Sequence, residues 1–149
     1  MALDQPSLKG RALRLLSGRE HSRAELERKL QRFEEEPGSL ALALDDLQAK
    51  GFISEQRVVE SVLNRRAVKL GASRIKMELQ AKGLAPEAVA DAVTSLRASE
   101  LERAREVWRK KFGQQPADAA ERARQMRFLA GRGFGGDTIH RVVSGGEDD

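Results

Sequence analysis

The sequence predicts an all-α protein: three tandem three-helix (helix-turn-helix-like) repeats in an elongated, curved array. Three observations predict it. Helix start signals recur along the whole chain, while the alternating pattern of a half-buried strand is nearly absent. Apolar residues between those starts follow the i, i+3, i+4 spacing of an amphipathic helix. A Leu-x-x-Lys/Arg-Gly-apolar signature returns after 50 residues, at Leu79–Leu84 and at Leu129–Phe134, as expected of a repeat architecture. Leu26-x-x-Lys29 is its abbreviated first copy.

The first unit is expected over residues 7–53, after a flexible N-terminus at 1–6. Ser22-Arg23-Ala24-Glu25 is a capping box, in which the hydroxyl accepts an orphan backbone N–H and the carboxylate reaches back. Leu26, Leu30 and Phe33 then form one apolar stripe, and Gly18 stands where the preceding helix would stop. An insertion, Glu34–Gly38, precedes a third helix that Ser39 is placed to cap, and Leu47–Phe52 closes the unit. The second unit, 54–98, opens with Ser54 as N-cap and with Ile53 and Val58 spaced as a hydrophobic staple. Val59, Val62, Leu63 and Leu70 follow as a stripe. Gly71 is read as a stop, Ser73 as the next cap and Gly83 as another stop. Pro86 suits the first turn of a helix, where its missing N–H costs nothing, and Val89, Val93 and Leu96 complete that helix's buried face. The third unit, 99–144, repeats the scheme. Ser99–Glu102 reads as a capping box before Leu101, Ala104 and Trp108, and Gly113 as a stop. Asp118–Glu121 is a variant capping box, Gly133 a further stop and Asp137 a cap before Ile139 and Val143. Residues 145–149 are expected to be an acidic flexible tail.

Composition narrows the function classes. Among 149 residues there is no Cys and there are two His, so disulfides, thiolate metal sites and thiol catalysis are excluded. His21 and His140 lie in different terminal units. Neither a zinc-protease, serine-hydrolase nor dinucleotide motif occurs. Gly131–Gly136 is Gly-rich but follows a helix and lacks the Lys-Ser/Thr of a phosphate loop. Glu34–Glu36 reads as a solvated helix end. No catalytic residue, metal site or cofactor is therefore expected. The N-terminal residues lack the basic and apolar regions of a secretory signal, and no window approaches the roughly 20 apolar residues of a membrane helix, so a cytoplasmic protein is expected.

The net charge of +4 is unevenly spread. Residues 1–56 hold 9 Lys/Arg against 10 Asp/Glu, residues 57–84 hold 7 against 2, and residues 101–134 hold 9 against 4. A near-neutral front followed by two basic stretches predicts a positive surface on the later part, fit for nucleic acid or an acidic protein groove. Its candidates are Arg57, Arg65, Arg66, Lys69, Arg74, Lys76 and Lys82 in the second unit, and Arg109, Lys110, Lys111, Arg124, Arg127 and Arg132 in the third. For each of them a solvated helix face is the competing reading, and at Lys110 and Lys111 helix-dipole compensation alone would suffice. Trp108 and Phe128 follow the apolar spacing and are read as core.

Several segments together resemble the regulatory protein RecX family. They are Leu44-x-x-Leu47-x-x-Lys50-Gly51-Phe52-Ile53-Ser54-Glu55-x-Arg57, Gly71-x-x-Arg74-Ile75-x-x-Glu78-Leu79-x-x-Lys82-Gly83-Leu84, and Lys110-Lys111-Phe112 with Arg127-Phe128-Leu129-x-x-Arg132-Gly133-Phe134-x-x-x-x-Ile139. The likeness spans residues 8–143, with Ser54 and Val58 as departures that conserve the cap and the apolar contact. It implies three tandem repeats and a monomeric, non-catalytic modulator of the RecA recombinase, seated in the groove of the RecA–DNA filament and suppressing ATP hydrolysis and strand exchange. Single-stranded DNA, and beyond it duplex DNA, are the implied nucleic-acid partners. The residues by themselves leave two alternatives open, a helix-turn-helix protein acting directly on DNA and a helical adaptor that binds no DNA.

Overall fold

The computed structural model describes residues 5–145. Among these, nine α-helices and one 3-10 turn, with no strand, run in the order α1 (Leu8–Gly18), α2 (Arg23–Leu30), the 3-10 turn (Gln31–Phe33), α3 (Ser39–Ala49), α4 (Glu55–Arg66), α5 (Ala72–Ala81), α6 (Pro86–Ala98), α7 (Glu100–Lys111), α8 (Ala119–Gly131) and α9 (Gly136–Ser144). Residues 1–4 of the expected N-terminal arm, and 146–149 of the expected acidic tail, lie outside the described residues.

Three apolar clusters form, one per helix triplet. Ala12, Leu26, Leu30, Leu40, Leu44, Leu47 and Ile53 make the first. Val58, Val62, Ile75, Leu79, Leu84, Val89, Val93 and Leu96 lead the second. Ala104, Leu129, Phe134, Ile139, Val142 and Val143 make the third, with Trp108 and Phe128 half-buried against it. The first two cores are aliphatic and the third adds Phe134; the helices are too short to be stable alone, so packing within the triplet holds them.

The local signals act where the backbone can obey them. Ser22 and Glu25 form the full capping box, Ser54 and Asp118 accept the N–H three residues on, and Pro86 occupies the first turn of α6. Gly83, Gly113 and Gly133 take the left-handed conformation, at φ 70, 70 and 93°. Five expectations are corrected. Ser99 makes no capping box, because a single residue joins α6 to α7. Its hydroxyl donates to the Leu96 carbonyl and accepts from Arg103. Ser39 lies inside α3, behind Gly38 at φ 90°, and the Glu34 carboxylate accepts the Leu40 N–H instead. Ser73 and Asp137 lie in the first turns of α5 and α9, whose N-caps are Gly71 and Gly135. Gly71, at φ −82°, therefore starts a helix and is no left-handed stop. Gly18 does end α1 as expected, though without the left-handed conformation, and an extended Arg19 follows it.

A repeated junction joins the units. The C-terminal turn of each later unit's middle helix is pressed against the N-terminus of the preceding unit's middle helix. Between the first and second units, the Ser22 hydroxyl donates to the Lys82 carbonyl, Arg28 donates to the Ala81 carbonyl, and the Lys82 ammonium reaches the Glu25 carboxylate at 3.4 Å. Between the second and third, the Gly71 N–H donates to the Arg132 carbonyl at 2.8 Å, the Ser73 N–H to the Gly133 carbonyl, and Arg74 to the Gly131 carbonyl.

Glu25 and His21 set the pH response of the first junction. Burial alone would raise the Glu25 pKa, but the Arg19 hydrogen bond, the Ser22 backbone N–H and the Lys82 charge hold it at about 2, against an ordinary 4.5. The unfolded chain thus takes up the proton first, and the stabilisation is complete above pH 4.5 and lost as pH falls towards 2. We expect Glu25→Gln to remove about 3 kcal/mol of stability at neutral pH. It should also flatten the fall of the urea midpoint between pH 4.5 and 2; an unchanged slope would count against this assignment. Burial, first among its causes, lowers the His21 pKa from 6.5. Its Nδ1 faces the Arg19 carbonyl and its Nε2 faces the Lys29 ammonium, each at 3.0 Å. A carbonyl only accepts and an ammonium only donates, so the ring is neutral with its proton on Nδ1.

Candidate nucleic-acid interface

The thirteen cations singled out from the sequence do not share one environment. Three hold the fold together. Arg57 donates to Glu20 and to the Gly51 carbonyl, Arg74 crosses to α8, and Lys82 sits against Glu25 with its side chain only 13% exposed. Four more are partnered on the surface. Arg65 and Arg66 share the Glu78 carboxylate, Arg109 pairs with Glu106, and Arg124 pairs with Glu121 through two nitrogens. Exposed pairs of this kind contribute little stability, and their charge is partly neutralised locally.

The remaining six are the ones available to a ligand. Lys69, Lys76, Lys110 and Arg127 are exposed and make no ion pair with any described residue. Lys69 follows α4 and Lys76 stands on α5, and each adjoins an exposed apolar side chain, Val68 (60% exposed) or Met77 (65%). Cations interleaved with exposed aliphatic groups fit a macromolecular surface better than a bare solvated helix face.

Lys111 and Arg132 approach the ring of Phe128, at 5.3 and 4.9 Å from its centre. Phe128 meets Phe112 edge-on at 5.4 Å, and Arg124 lies 5.1 Å from the Phe112 ring. The third unit thus carries two aromatic rings ringed by three cations, brought together by the last turn of α7, the residue that follows it, and α8. Such a cluster can take phosphate on Lys111 and Arg132, while Arg124 is held by Glu121. Phe128, read from the sequence as core, has one side of its ring in the apolar cluster and a cationic rim around it.

Two charged residues that local sequence did not single out organise this half of the molecule. Arg103 on α7 donates to the carbonyls of Ala67, Leu70 and Leu96, satisfying the ends of α4 and α6. Burial, the largest cause, lowers its pKa, and the nearby Glu100 charge works the other way. Glu100, 5% exposed, accepts from the Ala72 N–H at 2.8 Å, the Gly135 N–H at 3.3 Å and the Thr138 hydroxyl at 3.4 Å. It therefore caps α5 and α9 together. Its own sequence context, an acid in a first helical turn, is the ordinary dipole-favourable placement, so nothing local distinguishes it.

The comparisons with known proteins agree along the whole chain. Models of the first, second and third three-helix domains of RecX match residues 9–47, 54–93 and 98–143. The chain is 54% identical over 145 residues to the regulatory protein RecX of Leptothrix cholodnii, covering 96% of this chain and 92% of that protein. It is 47% identical to that of Herminiimonas arsenicoxydans, covering 100% and 99%. In structure it is similar to RecX from Lactobacillus salivarius, with a TM-score of 0.79 at 20% identity over 93% of each chain. No helix among the described residues is long and apolar enough to cross a membrane.

Proposed function

The chain belongs to the regulatory protein RecX family, a family of regulators and not of enzymes, and from that premise we propose that it binds the RecA–DNA filament and inhibits ATP hydrolysis and strand exchange. It does so as a cytoplasmic monomer, with single-stranded DNA in the filament, and duplex DNA where present, meeting its cationic side chains. The observation that carries this reading is an array of hydrogen-bonded units bearing cations that pair with no described acid. Main-chain hydrogen bonds tie the second unit to the third through Gly71 and Ser73, while Lys69, Lys76, Lys110 and Arg127 keep their charge for an external partner. Bound across neighbouring recombinase subunits, such an array resists the relative movements that hydrolysis and exchange require. Lys111 and Arg132, at the Phe128 rim, supply phosphate contacts.

The test is RecA's ATP hydrolysis on single-stranded DNA, titrated with this protein below one molecule per recombinase. Inhibition at that ratio is the expected result. No effect up to excess, with helix content intact, would overturn the proposal. Lys69→Glu with Lys76→Glu is expected to raise the amount needed for half-inhibition by about tenfold. It should also reduce the salt dependence of filament binding, by about one unit of slope for each phosphate that the variant no longer neutralises. Unchanged inhibition by that variant would remove the second unit from the interface.

A further inference from the structure

The first unit, near-neutral in total, gathers its unpaired cations in one place. Four of its Lys/Arg residues are matched to carboxylates: Lys9 and Lys50 to Asp46, Arg19 to Glu25, and Arg23 to Glu27 and Asp45. The other five, Arg11, Arg14, Arg28, Lys29 and Arg32, form no ion pair with any described residue, and all five line one pocket. Among the described residues, Arg28 donates to the Ala81 carbonyl and Lys29 meets neutral His21. Arg11 and Arg32 lie over the Phe33 ring, at 3.7 and 4.6 Å from its centre. Solvated helix faces would scatter the unpaired cations among the paired ones; here the two classes are sorted.

The pocket beneath these cations is apolar. Pro6, Leu15, Leu30 and Phe33 form its walls, and its volume of about 580 Å³ falls within the range of sites that bury a ligand group. We propose that this pocket docks an acidic segment of a partner protein, an aliphatic or aromatic side chain entering the cavity while flanking carboxylates meet the five cations. Arginine clusters read acidic motifs in this way, and a buried apolar anchor inside a charged rim is the ordinary anatomy of a protein interface.

Nucleic acid fits the pocket less well. Base stacking needs an open aromatic face, and the Phe33 ring already carries two guanidinium groups. The proposal stands apart from the filament reading, since it involves different residues and can be tested without the recombinase.

The experiment uses the full chain and fluorescence anisotropy with three labelled probes: an acidic peptide of repeated Glu-Glu-Leu, the same peptide with Ser for Leu, and an oligothymidylate of equal charge. The leucine peptide is expected to bind saturably below about 1 mM and at least about tenfold tighter than the serine peptide. Arg14→Glu with Arg32→Glu should weaken it by at least about tenfold with helix content unchanged. The Arg14 side chain makes no hydrogen bond or ion pair with a described residue, so Arg14→Glu alone provides a folded second variant with part of that effect. Equal affinity for the two peptides, no saturable binding, or indifference to both variants overturns the proposal. Tighter binding of the oligothymidylate, abolished in the same variants, also overturns it and makes the pocket a nucleic-acid site.

Discussion

Gly71→Ala is expected to destabilise the protein by about 2–4 kcal/mol, although the backbone there suits any residue. Its φ of −82° carries no strain, so the effect is one of space alone. A Cβ at this position would lie 2.4 Å from the carbonyl carbon and oxygen of Gly133 and 2.5 Å from the Phe134 nitrogen. All three are main-chain atoms of the neighbouring unit and cannot rotate aside. The added methyl must push the third unit off the second, breaking the Gly71–Arg132 and Ser73–Gly133 hydrogen bonds. Thermal unfolding followed by circular dichroism should show a lower midpoint and a broader transition as the units lose their coupling. Gly18→Ala is the control. No atom lies within 4 Å of its Cβ position and it sits in α1, so it should be neutral or raise stability by up to about 1 kcal/mol. Equal midpoints for the two variants would show that the junction is looser than its geometry.

The second large effect is expected at Glu100. Glu100→Leu leaves the buried Ala72 N–H without its acceptor, deprives Gly135 and Thr138 of theirs, and removes the negative charge near half-buried Arg103. An orphaned buried donor costs about 1–3 kcal/mol and an uncompensated buried charge more, so a total loss of about 3–5 kcal/mol is expected. Glu100→Gln keeps one acceptor oxygen and should lie between the two. Urea unfolding measures the totals, and hydrogen exchange at the Ala72 amide identifies the cause. Protection there should fall in Glu100→Leu before global stability is lost. An unprotected Ala72 amide in the parent protein would show that Glu100 does not cap α5.

The legibility of the fold follows the range of the interactions involved. Ser22, Ser54 and Pro86 act on backbone groups within one helical turn, and they do what their sequence context predicts; Asp118 accepts the Glu121 N–H, but the Glu121 carboxylate turns to Arg124, so only half of that capping box forms. Ser39, Ser73 and Asp137 do not, because each helix finds its cap elsewhere: Glu34 serves α3, and Glu100 serves both α5 and α9. The last two bonds join residues 28 and 35 apart in the chain, where no periodicity can announce them. Ser99 fails for a different reason, since one residue between two helices leaves no room for an extended cap.

The candidate surface divides in the same way. The excess of Lys and Arg over residues 57–84 and 101–134 is visible in the sequence, as are the individual residues. Their division into partnered and unpartnered groups is visible only for Arg109 and Arg124, whose acids stand three residues earlier on the same helix, while Glu78, Glu25 and Glu20 come to their cations through packing. The five unpaired cations of the first unit are hidden by the same arithmetic, since a near-neutral total conceals their gathering round one pocket.

The helical class, the tripartite repeat and the family are thus written along the chain, because 3.6-residue periodicity, short-range caps and a signature recurring at 50 residues are properties of its linear order. Which cations remain free, how the units lock and where an apolar pocket opens beneath unpaired charge are settled only by packing. The junctions depend on groups far apart in the chain, Ser22 meeting Lys82 across 60 residues and Gly71 meeting Arg132 where no Cβ could fit, and only the packed helices bring them together.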